Sequence, residues 1–154
     1  MPDNQLPLLN NRFTVNIDSS KPDCSRRDVA FSSISGISST RHATARPSPL
    51  TKLLGFLCLD IKTNRIELRR AIDSDHFFFD WHQANLCRAK DLRTMTICML
   101  DKHTDKPVNC WQLYNCWIEA WRGPNLDAMN PGPAYETLTL CYRSLCWLQD
   151  SDLK

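Results

Sequence analysis

The stretch VNCWQLYNCWIEAW, residues 108–121, decides the fold of this chain. Side chains alternate between the two faces of an extended strand. One face then carries Trp111, Leu113, Asn115, Trp117, Glu119 and Trp121, and the other carries Cys110, Tyr114, Cys116, Ile118 and Ala120. Because both faces are largely apolar, the pattern predicts a long strand that is covered on both sides and ends at Gly123-Pro124.

Shorter strands are predicted on either side of this segment. Residues 12–18 (RFTVNID) alternate polar and apolar side chains, which is typical of a half-buried strand. Turn-forming residues separate the other candidates. The predicted strands are residues 29–34, a hairpin of 55–61 and 65–72 with Asn64 at its turn, residues 92–100, and a single final strand over 135–148.

One helix is predicted, over about residues 74–87 (SDHFFFDWHQANLC), with Asp73 or Ser74 as its N-cap. Several strands, one helix and then three long strands indicate a mainly β fold: an antiparallel β-sandwich or barrel with one flanking helix. We expect a flexible N-terminal arm over residues 1–11, one β domain over 12–149 and a C-terminal tail over 150–154.

Composition favours one globular domain and excludes several function classes. The chain has 154 residues, of which 42% are hydrophobic, and its net charge of +2 is too small to indicate a nucleic-acid partner by itself. No secretory leader and no membrane span is expected from the sequence.

Eight cysteines occur without any CxxC pair, so the spacing of zinc ribbons is missing. Without an export signal, we predict that all eight are reduced and serve as small apolar side chains.

Motifs for catalysis are not found. No P-loop, GxSxG or HExxH pattern occurs, and four glycines are too few for a phosphate-cradling loop. His76 and His82 are a poor metal pair and are predicted to face solvent. We therefore expect no enzyme activity, no cofactor and no metal. Trp111, Trp117 and Trp121 leave open a carbohydrate-binding β-sandwich, although core or interface packing is the favoured interpretation.

The order of several motifs resembles the tail-tube protein family of contractile phage tails and contractile injection systems. The main one is WxLxNCWxxxWxGPNLDA at residues 111–128, followed by AxETLTL at 134–140. RFTVNID, FSSISG at 31–36, IELRR at 66–70 and FDW at 79–81 match further parts in the same order. The chain departs from the family where Pro-Gly is missing before residues 66–70, and where Pro131-Gly132-Pro133 precedes the final strand.

This resemblance implies a structural subunit of the inner tube, in which stacked hexameric rings conduct DNA or a protein effector through the lumen. Its partners would be further copies of itself, sheath and baseplate proteins, and the cargo. It would be assembled in the bacterial cytoplasm and belong to a virion or a secreted injection particle. The alternative within the family is a specialised subunit at the end of the tube or near the baseplate.

The resemblance also implies a contact segment. Residues 38–54 are poor in apolar side chains, and the matching family region is an extended hairpin that touches a neighbouring subunit or ring. Arg41, His42 and Arg46 are the candidate inter-subunit contacts.

Overall fold

The computed structural model describes residues 8–18, 27–40, 63–87 and 91–148. These residues form eight strands and one helix, numbered here in chain order. They are β1 (Phe13–Asp18), β2 (Arg27–Val29), β3 (Ser33–Ser35), β4 (Asn64–Ala71), α1 (Phe77–Leu86), β5 (Arg93–Leu100), β6 (Pro107–Arg122), β7 (Tyr135–Tyr142) and β8 (Ser144–Leu148). The predicted mainly β fold with one flanking helix is confirmed.

The strands form one open antiparallel sheet in the order β2-β1-β5-β6-β7-β4-β3, and β8 pairs with β6 beside this path. The first part of β6 pairs with β5 and β8, and its second part, from Trp117 onward, pairs with β7. We call β1, β2, β5 and β8 with the first part of β6 the first half-sheet. The second half-sheet contains β3, β4, β7 and the second part of β6.

Two bulges in β6 change the predicted faces of this strand. Asn115 has a φ of 53°, and the four residues from Leu113 to Cys116 lie opposite only three residues of β5, Arg93 to Met95. A second register shift falls between Ile118 and Ala120. Each extra residue inverts the alternation of side chains. The prediction of two uninterrupted faces is therefore wrong.

The core lies between the two half-sheets. Val15, Ile17, Met95 and Ile97 of the first belong to the same buried cluster as Ile66, Leu68, Leu138 and Leu140 of the second. Because one cluster contains residues of both, the sheet curls over a single core. Each fully buried aliphatic side chain contributes about 1.5–3 kcal/mol.

Helix α1 begins at Phe77, three residues after the predicted start at about residue 74, and its N-cap is His76 rather than Asp73 or Ser74. The Asp73 carboxylate accepts the N–H of Asp75, and the Asp75 carboxylate accepts the N–H of Phe77, so these residues shape the turns before the helix. The helix packs Phe78 and Trp81 into the core. No helix among the described residues is long and apolar enough to cross a membrane.

Two strand predictions need correction, and one lies outside the described residues. The single strand over 29–34 is wrong, since β2 pairs with β1 and β3 pairs with β4. The single strand over 135–148 is interrupted at Arg143, whose N–H donates to the Tyr114 carbonyl where β6 bulges. The predicted strand over 55–61 falls in a part of the chain that is not described.

Candidate assembly surfaces

The predicted contact residues Arg41, His42 and Arg46 lie outside the described residues. The structure does place the chain on either side of them. The N–H of Thr40 donates to the side-chain oxygen of Asn64, 3.4 Å away, and Tyr142 exchanges hydrogen bonds with the backbone of Ser38. The described residues that precede and follow positions 41–62 therefore lie close together on the second half-sheet.

The connection between β6 and β7, residues 123–134, exposes two large apolar side chains. Leu126 is 86% exposed and Met129 is 85% exposed. The Asp127 carboxylate accepts hydrogen bonds from the Met129 N–H (2.9 Å) and the Asn130 side-chain amide (2.7 Å). These hydrogen bonds hold the pKa of Asp127 below its usual value, and the bond from the Asn130 amide has the largest effect. We call this connection the display loop, because a fixed turn holds its apolar side chains in solvent.

A buried ion pair supports the base of the display loop. Arg70 and Glu136 are both at least 95% buried, and Arg70 Nε lies 3.1 Å from Glu136 Oε1. Trp121 Nε1 donates to Glu136 Oε2 at 2.7 Å. The Ile72 N–H donates to the Ala134 carbonyl, 2.9 Å away. The end of the loop at Ala134 is therefore fixed beside β4, and the bond from Trp121 to Glu136 joins its two ends, so neither Leu126 nor Met129 is needed to close it.

An apolar groove opens between the half-sheets. Its volume is about 490 Å³, and its apolar lining includes Phe13, Ile34, Ile37, Met99 and Trp111. Phe13, Ile34, Ile37 and Trp111 pack against the core but stay partly exposed. Asn10, Asn11, Ser32 and Ser33 also line it, and none of the described lining residues is charged. The sequence did not indicate this groove, because its lining comes from strands that are distant in the chain.

The sheet has open edges. Among the described residues, β8 pairs only with β6, β2 only with β1, and β3 only with β4. Trp147 on β8 is 61% exposed and makes an edge contact with Trp111, at 5.6 Å between ring centroids. The outer edge of the second part of β6 is different, since His82 Nδ1 lies 3.2 Å from the Ile118 carbonyl oxygen. His82 is half-buried there, so the prediction that both histidines face solvent is wrong for it.

The three tryptophans of β6 do not form a common surface. Trp111 lines the apolar groove and pairs with Trp147, and Trp121 packs against the core. Trp117 lies between the two bulges, where the inward-facing residues are Cys116 and Ile118. The bulges therefore remove the aromatic platform on which the carbohydrate-binding alternative depended.

The prediction that all cysteines are reduced is wrong for one pair. Cys98 and Cys110 lie directly opposite each other on β5 and β6 and form a disulfide. Spacing motifs gave no sign of it, because the register of the hairpin brings the pair together. Cys116 and Cys141 are buried free thiols, and burial raises the pKa of Cys116 to about 12.

An exposed ion pair lies beside Cys141. Arg65 Nε donates to Glu119 Oε2 at 2.6 Å and Arg65 Nη2 to Oε1 at 2.7 Å. The hydrogen bond from Arg65 lowers the pKa of Glu119. Burial raises the pKa of Cys141. Within the described part of the chain, no group of three His, Cys, Asp or Glu residues could hold a metal ion.

Sequence reasoning missed Leu126 and Met129. The signal available was their composition: two large apolar residues occur in a connection that otherwise consists of Gly, Pro, Asn, Asp and Ala. That signal marks them as unusual for a turn. Their exposure could be known only from the structure.

Comparison with protein families gives a match to the model described as T4-like virus tail tube protein gp19, over residues 9–145. The matched span includes every strand up to β7, the helix and the display loop. No curated protein sequence shows significant similarity to the chain.

Similar solved structures extend this result at the level of the fold. A chain in the anti-feeding prophage baseplate has a TM-score of 0.67 at 19% identity, covering 93% of this chain and 96% of that one. A chain in the sheath–tube complex of the extracellular contractile injection system PVC has a TM-score of 0.70 at 16% identity, with 94% and 93% covered. A chain in the PVC sheath/tube terminator has a TM-score of 0.71 at 15% identity, with 94% and 99% covered.

Proposed function

Since this chain belongs to the T4-like virus tail tube protein gp19 family, we propose that it builds the inner tube of a contractile tail or injection system as stacked hexameric rings. The observation that carries the proposal is the family match over residues 9–145, which includes the whole described β domain up to β7. The rings enclose a lumen through which DNA or a protein effector passes.

Open strand edges support self-assembly. Unpaired edges are a liability in an isolated domain, and a closed ring of copies removes them. β2 and β3 are three residues long each, and β8 carries a largely exposed tryptophan. A subunit of this design needs a rigid core and complementary edges, and it needs no catalytic group.

Residues 38–54 are the proposed contact with a neighbouring subunit or ring. Thr40 and Asn64, the described residues on either side of positions 41–62, lie close together, since the Thr40 N–H donates to the Asn64 side chain. Arg41, His42 and Arg46 meet acidic groups of the adjacent copy in this proposal. Exposed ion pairs contribute about 0.2–1 kcal/mol each, and their repetition around a ring increases the total.

Sheath and baseplate proteins are the proposed partners. The similar chains come from structures described as a baseplate, a sheath–tube complex and a sheath/tube terminator. Assembly takes place in the bacterial cytoplasm, after which the subunit belongs to a virion or a released particle.

Electron microscopy tests this function. The protein, purified alone at high concentration and also after co-expression with sheath and baseplate proteins of the same system, is expected to form rings or tubes with a central channel. Long tubes identify a bulk subunit, whereas a single ring per particle identifies a terminal or baseplate-proximal one. A strictly monomeric protein under both conditions contradicts the proposal.

Deletion of about residues 40–50 tests the ring contact separately. The thermal transition is expected to persist while stacking is lost, because none of the described strands includes these residues. Unfolding of the deleted protein, or normal tubes formed by it, contradicts this contact.

A further inference from the structure

Two surfaces have no role in the single subunit: the pair of apolar side chains on the display loop and the apolar groove between the half-sheets. Isolated exposed apolar residues are common and need no explanation. Leu126 and Met129 differ because both belong to one turn and both are about 85% exposed. An apolar pair held in solvent in this way indicates an interaction site.

The turn that carries the pair is ordered before any partner binds. Asp127 accepts two hydrogen bonds, one from the Met129 backbone and one from the Asn130 side chain. The base of the loop is fixed by the hydrogen bond between Trp121 and Glu136. Preorganisation lowers the conformational entropy lost on association. Most of the free energy gained by burying the two side chains can therefore appear as binding affinity.

The groove is complementary in size and chemistry. The Leu126 and Met129 side chains contain four non-hydrogen atoms each, which need roughly 240 Å³ at about 30 Å³ per water-sized group. The groove offers about 490 Å³, and its described lining contains seven apolar residues, among them Phe13 and Trp111. Among the described residues, its polar lining consists of amides and hydroxyls, with no carboxylate to repel Asp127.

We infer that Leu126 and Met129 of one copy seat in the apolar groove of a second copy. The exposure of both side chains excludes insertion into the groove of their own subunit. The contact joins two different surfaces, so it is heterologous and can continue from copy to copy, as a ring or stack requires. This inference rests on the proposed self-assembly and names one contact within it.

Photo-crosslinking identifies the occupant of the groove directly. The photoreactive residue p-benzoylphenylalanine is introduced at position 126 of the full chain, and light and heavy isotope-labelled copies are mixed before assembly. Mixed-isotope crosslinks to residues 31–37 or 97–111 are expected. Crosslinks that map only to another part of the chain, to a sheath protein, or within one copy overturn the inference.

Substitutions test both surfaces without touching the core. The double variant Leu126→Asp/Met129→Asp is expected to weaken assembly at least about a hundredfold, which corresponds to about 2.8 kcal/mol. Leu86→Asp is the matched control, because Leu86 is 62% exposed but lies at the end of α1. Ser33→Arg on the groove is expected to act like the double variant, whereas Ser35→Arg on the same strand, which does not line the groove, is not.

The outcomes separate this inference from the proposed function. If the wild-type chain assembles and the double variant assembles equally well, the contact is wrong and the tube function stands. If the wild-type chain forms no ring or tube, both fail. Thermal unfolding of each variant is measured alongside, and a Tm within about 2 °C of the wild type shows that the loss belongs to the contact.

Discussion

Two connections of this molecule are each ordered by an aspartate carboxylate, but they expose different kinds of side chain. The turn between β5 and β6 is organised by Asp101, which accepts hydrogen bonds from the N–H groups of His103 and Thr104 and from the Thr104 hydroxyl. The display loop is organised by Asp127 in the same way. The first connection exposes only polar side chains, and the second exposes Leu126 and Met129.

The supports of the two connections also differ. A disulfide joins the strands behind the Asp101 turn, and the Asp101 N–H donates to the Lys106 carbonyl. The display loop is held by the buried Arg70–Glu136 pair. A turn that is ordered by a carboxylate therefore does not by itself indicate a binding function. The side chains that the turn exposes decide whether it can bind a partner.

The largest effect is expected at the support of the display loop. Glu136→Ala leaves Arg70 buried beside only one carboxylate, that of Asp73, and removes the acceptor of Trp121 Nε1. Breaking a buried pair by removing one partner costs about 3–5 kcal/mol. Urea unfolding measures the loss. Glu119→Ala, which removes the partner of the exposed Arg65, is the control and should stay near wild-type stability; equal losses in the two variants would contradict this account.

The support of the Asp101 turn is expected to matter slightly less. Cys98→Ser/Cys110→Ser removes a bridge between residues 12 positions apart in the sequence. For a loop of about this size, the free energy of unfolding should fall by about 3 kcal/mol. Reductant should bring the wild type to the same value and leave the double variant unchanged. Cys87→Ser, at an exposed free thiol, serves as the control. A wild type that is insensitive to reductant would contradict the bridge.

Removing the two carboxylates should separate stability from assembly. Asp101→Ala loses three hydrogen bonds of a hairpin turn and is expected to lower Tm by about 2–4 °C. Asp127→Ala is expected to leave Tm nearly unchanged and to weaken assembly roughly tenfold, because one ordered residue costs about 1–2 kcal/mol of conformational entropy. If Asp101→Ala and Asp127→Ala changed Tm by the same amount, or weakened assembly by the same factor, the proposed difference between the two connections would be wrong.

The smallest expected effect is a decrease in thermal stability at low pH. Hydrogen bonds from His103, then Thr104, lower the pKa of Asp101 to about 2, below its ordinary value of 3.8. Stability from this group is therefore present above about pH 4 and is lost as the pH falls toward 2. Tm measured between pH 5 and pH 2 should fall less steeply in Asp101→Asn than in the wild type. Parallel curves would show that the turn does not titrate in this range.

Much of the fold could be predicted from local patterns. The alternation of polar and apolar side chains predicted the limits of β1, β5 and β6 to within one residue. The helix was found, but its start was placed too early because Asp73 and Ser74 resemble N-cap residues. The ordered motifs around residues 111–140 indicated the family that the comparison then identified. These features depend on residues that are close in the chain, where sequence spacing reports geometry.

By itself, then, the sequence determined a β-rich tail-tube subunit with one helix. The tertiary structure decided which side chains face the core along β6, because the bulge at Asn115 depends on pairing with β5. It decided the bond between Cys98 and Cys110, since strand register brings these residues together. It also decided that Leu126 and Met129 are exposed to solvent, while a groove lined by four separate segments of the described chain opens between the half-sheets. Exposure and concavity are properties of the packed chain, and a linear pattern does not contain them.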